Sequence, residues 1–320
     1  MNRGNIALAV ALALLAAFPA AGATFYVELV TKVMILAIFA MSLDLLVGYT
    51  GLVSFGHAAF YGVGAYALAL SAPRYEPANL WLTLPGAVLL AGLAALAVGS
   101  FVVRARGTYF IMVTLAFAQM FHFVFHDTEI GRGSDGISMN FKPVASVAGF
   151  APFDLGKATH LYYFVLATLV AVFAFLRLLL RSPLGRTFQG IKSNEHRMVS
   201  LGFPVFRYKL ASFTLAGAIG GLAGYLSALQ FGFVNPELLS WHQSGNVLLM
   251  LILGGLGRLT GGVVGAFAFV ALQEAFQSLT DRWQLLFGAT IVLLVIFLPG
   301  GVAGVADRFR RPPSREPFHV

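Results

Sequence analysis

The chain has 320 residues, of which 58% are hydrophobic and 11% charged, with a mean hydropathy of +0.83, too little polar surface to close over a soluble core. Its formal charge of +8 comes from Lys and Arg dispersed among separate segments, which excludes a basic face for nucleic acid, and the lack of cysteine excludes disulfides and thiolate chemistry. Charged residues bound long charge-free intervals, among them Asp44 to Arg74, Glu76 to Arg104 and Lys209 to Glu237. A helix needs about 20 apolar residues to cross a bilayer, so these intervals predict an all-α, polytopic membrane protein.

About ten spans are expected, near 5–23, 27–47, 52–70, 81–103, 108–125, 160–180, 209–230, 242–257, 262–280 and 284–302. The first (1–26) reads either as a retained span or as a cleavable signal, because Arg3 precedes an apolar run and Ala21-Gly22-Ala23 offers a small-residue cleavage site. Gly48-Tyr49-Thr50-Gly51 marks a candidate helix break, and the glycines between 254 and 265 make 242–257 and 262–280 candidates for broken or re-entrant helices. One long domain, 27–306, follows. It carries a loop at 126–159, too short to be a substantial independent domain, and a basic loop at 181–208, and a tail at 307–320 follows it.

Orientation follows from the basic residues. With ten spans and the N-terminus inside, fifteen of the 21 Lys and Arg fall on the cytoplasmic side, including Arg104, Arg106, Arg186, Lys192, Arg197, Lys209 and Arg258. Lys32, Arg74, Arg132, Lys142, Lys157 and Arg282 fall on the other side. This puts 181–208 and the tail inside and 126–159 outside.

The basic loop has its own pattern. Pro183 suits a helix start, Gly202 and Pro204 a stop, and Phe188, Ile191, Glu195 and Met198 or Val199 recur at spacings of three or four. Two readings fit: an amphipathic connector lying on anionic lipid, or a short helix docked in the cleft of a cytoplasmic partner.

Six stretches in order resemble the permease subunits of bacterial branched-chain amino acid ABC importers, the LivM-type family. They are LDLLVGYTGLVSFGHAAFYGVGAY at 43–66, RARGTYFIMVTLAFAQM at 104–120, GRGSDGI at 131–137, and the long stretch from SPLGRTFQG to AGAIGGLAG at 182–224. LLMLILGGLGRLTGGVVGAF at 248–267 and LLFGATIVLLVIFLPGG at 285–301 complete the set. The resemblance implies a subunit of an importer in the bacterial inner membrane for leucine, isoleucine and valine. Its partners would be a second, homologous permease, two cytoplasmic ATP-binding subunits and an exported solute-binding protein. ATP would be used by those partners, and the chain itself would carry no cofactor and no enzyme activity. No GxxxxGK[ST] phosphate loop is present. Within the match, Phe188, Ile191, Glu195, Met198 and Gly202 fall in the ATPase-coupling segment, although His196 to Val199 replace the small residues that the family favours after the acid. Ser134, Asp135 and Gly136 fall in the external loop motif.

Polar residues within or near spans stand out, since a charge in the bilayer needs a partner, water or a changed protonation state. Asp44, His57, Gln119, Gln230, Gln273 and Glu274 qualify. Gly48 and Gly51 join Asp44, His57 and Glu274 as path or gating candidates, although His57 also suits a packing role. Gly217, Gly220, Gly221 and Gly224 predict close helix packing. Permeases for urea, short amides or other amino acids remain alternatives, as does a secondary transporter in which Asp44 or Glu274 couples an ion.

Overall fold

The computed structural model describes residues 3–21, 23–72, 77–139, 141–144, 154–297, 300–301 and 304; the predicted tail at 307–320 lies outside them. The architecture is all-α. Helix α1 (Arg3–Ala21) is followed by α2 (Thr24–Asp44), which runs without a break into a π-helical turn (Leu45–Thr50). After irregular residues 51–56 come α3 (His57–Ser71), α4 (Leu80–Val102) and α5 (Thr108–Asp127). Helix α6 (Ala158–Arg181) leads into two short helices, α7 (Pro183–Ser193) and α8 (Glu195–Ser200). The chain then forms α9 (Val205–Phe231), α10 (Trp241–Gly254), α11 (Leu259–Gln277) and α12 (Trp283–Phe297).

Each predicted span has a helix, but among the described residues only six are both long and apolar enough for a full crossing: 24–50, 80–102, 108–127, 158–181, 205–231 and 259–277. Helices α3, α10 and α12 have 15, 14 and 15 residues, and the apolar part of α1 is Val10–Ala20. Fifteen residues rise about 22 Å, less than the about 30 Å of a hydrocarbon core. Helix α3 is preceded by the irregular residues 51–56, and α10 by residues 232–240, which hold a two-residue strand and a 3₁₀ turn.

The order of elements recurs. A 27-residue helical stretch, an irregular link, a helix of 14 or 15 residues and two further helices make up 24–127, and the same series makes up 205–297. Contacts recur with it: α3 and α4 pack on α9, α10 and α11 pack on α2, and α2 meets α9 between them. Helix α2 runs toward the α7–α8 end of the bundle whereas α9 runs away from it, so the two units are inverted. Outside the repeat, α6 packs along α2, and the Tyr162 and Tyr163 hydroxyls donate to the Leu15 and Ala16 carbonyls of α1 at 2.6 and 3.1 Å.

Small residues bring these helices into backbone contact, as their spacing predicts. A Cβ at Gly224 would collide with the Tyr61 carbonyl, and one at Gly64 with the Gly221 carbonyl, so α3 and α9 touch main chain to main chain. In the second unit Gly254 and Gly261, and Gly265 and the Met250 carbonyl, make the equivalent approach between α10 and α11. Lipid is as apolar as a side-chain core, so it is this fit rather than removal from water that favours association. Central α2 is buried without interruption from Val33 to Asp44, with Met34, Ala37, Ile38, Phe39, Ala40 and Met41 inaccessible.

Candidate functional site

The two ends of the bundle carry different chemistry. At the basic end, Ser182 caps α7, with Gly185 N–H donating to its Oγ at 3.4 Å, and Pro183 occupies the first turn where its missing N–H is harmless. Asn194 separates α7 from α8, and its Oδ1 accepts from Arg197 N–H at 2.9 Å. The apolar stripe predicted for this segment exists but faces inward: Phe188 and Ile191 are 0% and 3% exposed. They pack the segment onto its own chain, so neither side chain is available to a partner cleft. Met198 is half-buried and lies beside Gly190 of α7. Gly202 has φ +83°, a left-handed exit from which the chain turns into α9.

Charged contacts tie this segment to the spans. Lys209, 6% exposed at its side chain, donates from Nζ to Glu195 Oε2 at 2.6 Å; Arg106 Nη2 lies 3.5 Å from the other carboxylate oxygen. Lys192 Nζ donates to the Gly48 carbonyl at 2.5 Å, an acceptor in the last turn before the helix ends at Gly51. Gly51, at φ +81°, ends that turn beside the Lys192 stem. Asp44 is fully buried, and its Oδ1 accepts from Gly257 N–H at 2.9 Å in the link between α10 and α11. A side chain at Gly48 would strike both Asp44 and Gly257. The α2 terminus, α7 and the α10–α11 link are thereby clasped together. Beside them a cleft of about 350 Å³ is lined by Thr50, Gly51, Arg106, Lys192, Asn194 and Glu195, among others. The outer surface of the corner carries exposed Val199, Leu201, Phe203 and Phe206.

The opposite end holds a larger cavity, of about 440 Å³, between α2, α9, α10 and α11. Lys32, Gln230, Asn235, Gln243, Asn246 and Gln273 bring polar groups to it; Ile35, Leu36, Met250 and Phe269 line its deeper wall. The loop expected to be external borders the same region. Its one-turn 3₁₀ helix (Gly133–Asp135) exposes Ser134 and Asp135 and precedes the short strand β1 (Ile137–Ser138). That strand pairs antiparallel with β2 (Phe233–Val234), Ile137 opposite Val234. Gly136, at φ +67°, leaves no Cβ to collide with the Val234 carbonyl.

The path candidates therefore separate. Asp44, Gly48 and Gly51 belong to the clasp at the basic end. His57 is fully buried, 2.7 Å from Ser42 Oγ through Nε2 and stacked on Phe39, which is a packing position. Glu274 is half-buried near the end of α11 and is not among the residues lining the cavity, although its neighbour Gln273 is. Gln230 and Gln273, noticed in the sequence only as polar residues near spans, meet in the cavity. Lys32, Asn235, Gln243 and Asn246 were not legible as a group; the one available signal was a lysine inside a predicted span. Among the described residues no cluster of three His, Asp or Glu side chains is placed to hold a metal.

Residues 25–296 match the family described as the branched-chain amino acid transport system permease component. The chain is 32% identical over 295 residues to the high-affinity branched-chain amino acid transport system permease protein LivM of Escherichia coli (strain K12), covering 86% of this chain and 69% of that relative. It is 21% identical over 281 residues to the corresponding LivH protein of Salmonella typhimurium (84% of this chain, 91% of LivH). A shorter match, 28% over 141 residues, is to the autoinducer 2 import system permease protein LsrC of Klebsiella pneumoniae (42% of this chain, 41% of LsrC). No solved structure matches the chain. With a family match over most of its length and apolar helices for several crossings, this multi-pass membrane chain belongs to the branched-chain amino acid transport permease family.

Proposed function

We propose that the chain is a permease subunit of an ATP-driven importer of leucine, isoleucine and valine. It would work beside a second related permease, two cytoplasmic ATP-binding subunits and an exported solute-binding protein. The observation that carries this reading is the division of labour between the two ends. A cavity with a polar mouth and an apolar wall lies at one end, and a braced pair of short helices lies at the other, joined by two inverted units around α2 and α9. The names of the LivM and LivH relatives supply the solute class and the second permease.

In this reading the basic end faces the cytoplasm of a bacterial inner membrane, as the excess of Lys and Arg there favours. Val199, Leu201, Phe203 and Phe206 form the docking surface for an ATP-binding subunit. Phe188 and Ile191 anchor that surface from beneath, and Glu195 and Gly202 set the angle of α8. Solute enters from the side of Ser134 and Asp135.

Two experiments test the reading. The first uses the absence of native cysteine: Ser193→Cys should be labelled only from the inside of sealed cells and Ser134→Cys only from the outside. The reverse pattern would overturn the orientation. The second purifies the chain in mild detergent and reconstitutes it with the chains that accompany it. Leucine uptake should require ATP and the binding protein; uptake driven by a proton or sodium gradient without ATPase subunits would favour a secondary transporter.

A further inference from the structure

The cleft of about 350 Å³ at the basic end has no part in the passage of solute described above, yet its lining is chemically distinctive. It brings together Arg106, Lys192 and Lys209 with a single carboxylate, Glu195, and with His196. Lys209 is matched to Glu195 at 2.6 Å. Arg106, 63% exposed at its side chain, meets Glu195 through Nη2, and its other nitrogens have N–H groups for a further acceptor. Lys192 is exposed and gives one bond to the Gly48 carbonyl, while an ammonium has three donors. Cations in the lining exceed carboxylates by two; counting buried Asp44, whose charge reaches Lys192 from outside the lining, they still exceed by one. A concave site with this excess favours an anion, and donors from a guanidinium and an ammonium suit the several oxygens of a phosphate.

Position in the membrane narrows which phosphate it is. Thr50 ends the span 24–50, Arg106 and Gly107 precede the span 108–127, and Lys209 lies in the second turn of the span 205–231. Three spans begin or end at the cleft, which puts it at the edge of the hydrocarbon, the level of lipid head groups. Helix α5 leaves that level with an uncovered stripe. Tyr109, Met112, Ala116 and Met120, at spacings of three and four, are all exposed, and α5 is the least buried of the six spans. Tyr109, two residues past Gly107, is an aromatic suited to the membrane interface, its hydroxyl among head groups and its ring against chains. Arg104, also exposed, lies over the Phe206 ring at 5.6 Å and adds a further cation two residues before Arg106. A free anion would use the cations alone; a phospholipid uses the cations and the stripe together.

We propose that this cleft binds the head group of an anionic phospholipid, whose phosphate bridges Arg106, just before α5, and Lys192 on α7 while an acyl chain lies along Tyr109, Met112 and Ala116. The phosphate is then a removable brace between α5 and the short-helix segment, added to the Lys209–Glu195 pair, and the set of α7 and α8 depends on the lipid around the chain. The site rests on the membrane fold and is independent of which solute is carried.

The test follows lipid retention by native mass spectrometry of the purified full chain, titrated in detergent with dioleoyl phosphatidylglycerol, dioleoyl phosphatidylcholine or glycerol 3-phosphate. Phosphatidylglycerol should be retained at concentrations where phosphatidylcholine, whose head group cancels its own charge, is not. Glycerol 3-phosphate, which has the phosphate without the chains, should fail to displace it at about tenfold molar excess. Arg106→Gln should raise the lipid concentration for half-occupancy about fivefold, the scale of one cation beside an anionic head group, and Arg106→Lys should restore most of it. Arg197→Gln removes an exposed charge on α8 outside the cleft and should change it by less than about twofold. Occupancy is read as bound mass, and the comparison of the three ligands on the parent chain stands whether or not a variant folds. Equal retention of the two lipids, or equal effects of Arg106→Gln and Arg197→Gln, overturns the site. Displacement by glycerol 3-phosphate overturns the lipid and leaves a site for soluble phosphates. Each of these outcomes leaves the importer reading to its own uptake assay.

Discussion

Removing the Glu195 carboxylate is the most informative single perturbation, because the structure changes what that residue is expected to do. Its partner Lys209 is 6% exposed and Glu195 itself 26%, so the pair lies between a surface and a buried ion pair. Exposed pairs contribute about 0–1 kcal/mol, and breaking a fully buried one costs about 3–5 kcal/mol, mostly as an uncompensated charge. An intermediate value of about 2 kcal/mol is expected for Glu195→Ala. Arg106, 63% exposed and 3.5 Å away, adds at most about 1 kcal/mol. The assay is unfolding of the purified full chain by SDS in mixed micelles, as a double-mutant cycle over Glu195→Ala and Lys209→Ala, with solute-stimulated ATP hydrolysis measured in the assembled complex. If the pair positions α8 internally, Glu195→Ala should lose both stability and stimulation, and the matched apolar pair Glu195→Met with Lys209→Met should recover much of each. A coupling energy below about 0.5 kcal/mol would refute the argument. So would stimulation that stays lost in the double variant after stability returns; Glu195 would then touch a partner directly.

Three further outcomes are expected. Gly224→Ala should destabilise the chain by about 1–3 kcal/mol or more, since its Cβ would meet the Tyr61 carbonyl rather than a movable side chain, and recovery of monodisperse protein in detergent reads this out. Gly202→Val has open space around the Cβ, so its cost should be the backbone alone, about 1–2 kcal/mol, with Gly202→Asn milder; equal unfolding midpoints for the two variants would remove the left-handed exit as the cause. Asp44→Asn keeps an acceptor for Gly257 N–H and should unfold within about 1 kcal/mol of the parent, whereas Asp44→Ala should cost about 1–3 kcal/mol; a larger loss in the Asn variant would mean that the charge, not the hydrogen bond, holds the clasp.

Much of the architecture is written in the order of the residues. The positions of the charges are enough to place helices at every predicted span and to give the chain a basic end, and Pro183 and Gly202 bound the short-helix segment. The spacing of Gly217, Gly221 and Gly224 correctly announces close packing, because only small residues at helical intervals allow backbones to touch. Hydropathy is silent about which apolar face meets protein and which meets lipid, since both surroundings are apolar. Hence the stripe of Phe188 and Ile191 was legible as a stripe, but only the folded chain turns it inward and leaves Val199, Leu201, Phe203 and Phe206 outside. The shortening of α3 and α10 and the inverted repeat escape the sequence because they depend on where irregular backbone replaces helix, not on how apolar the segment is. The cavity is the clearest case: Lys32, Gln230, Gln243, Asn246 and Gln273 come from four helices, up to 241 positions apart, with no shared spacing. Only tertiary packing, which carries the ends of α9 and α11 and the start of α10 up against α2, makes one site of them.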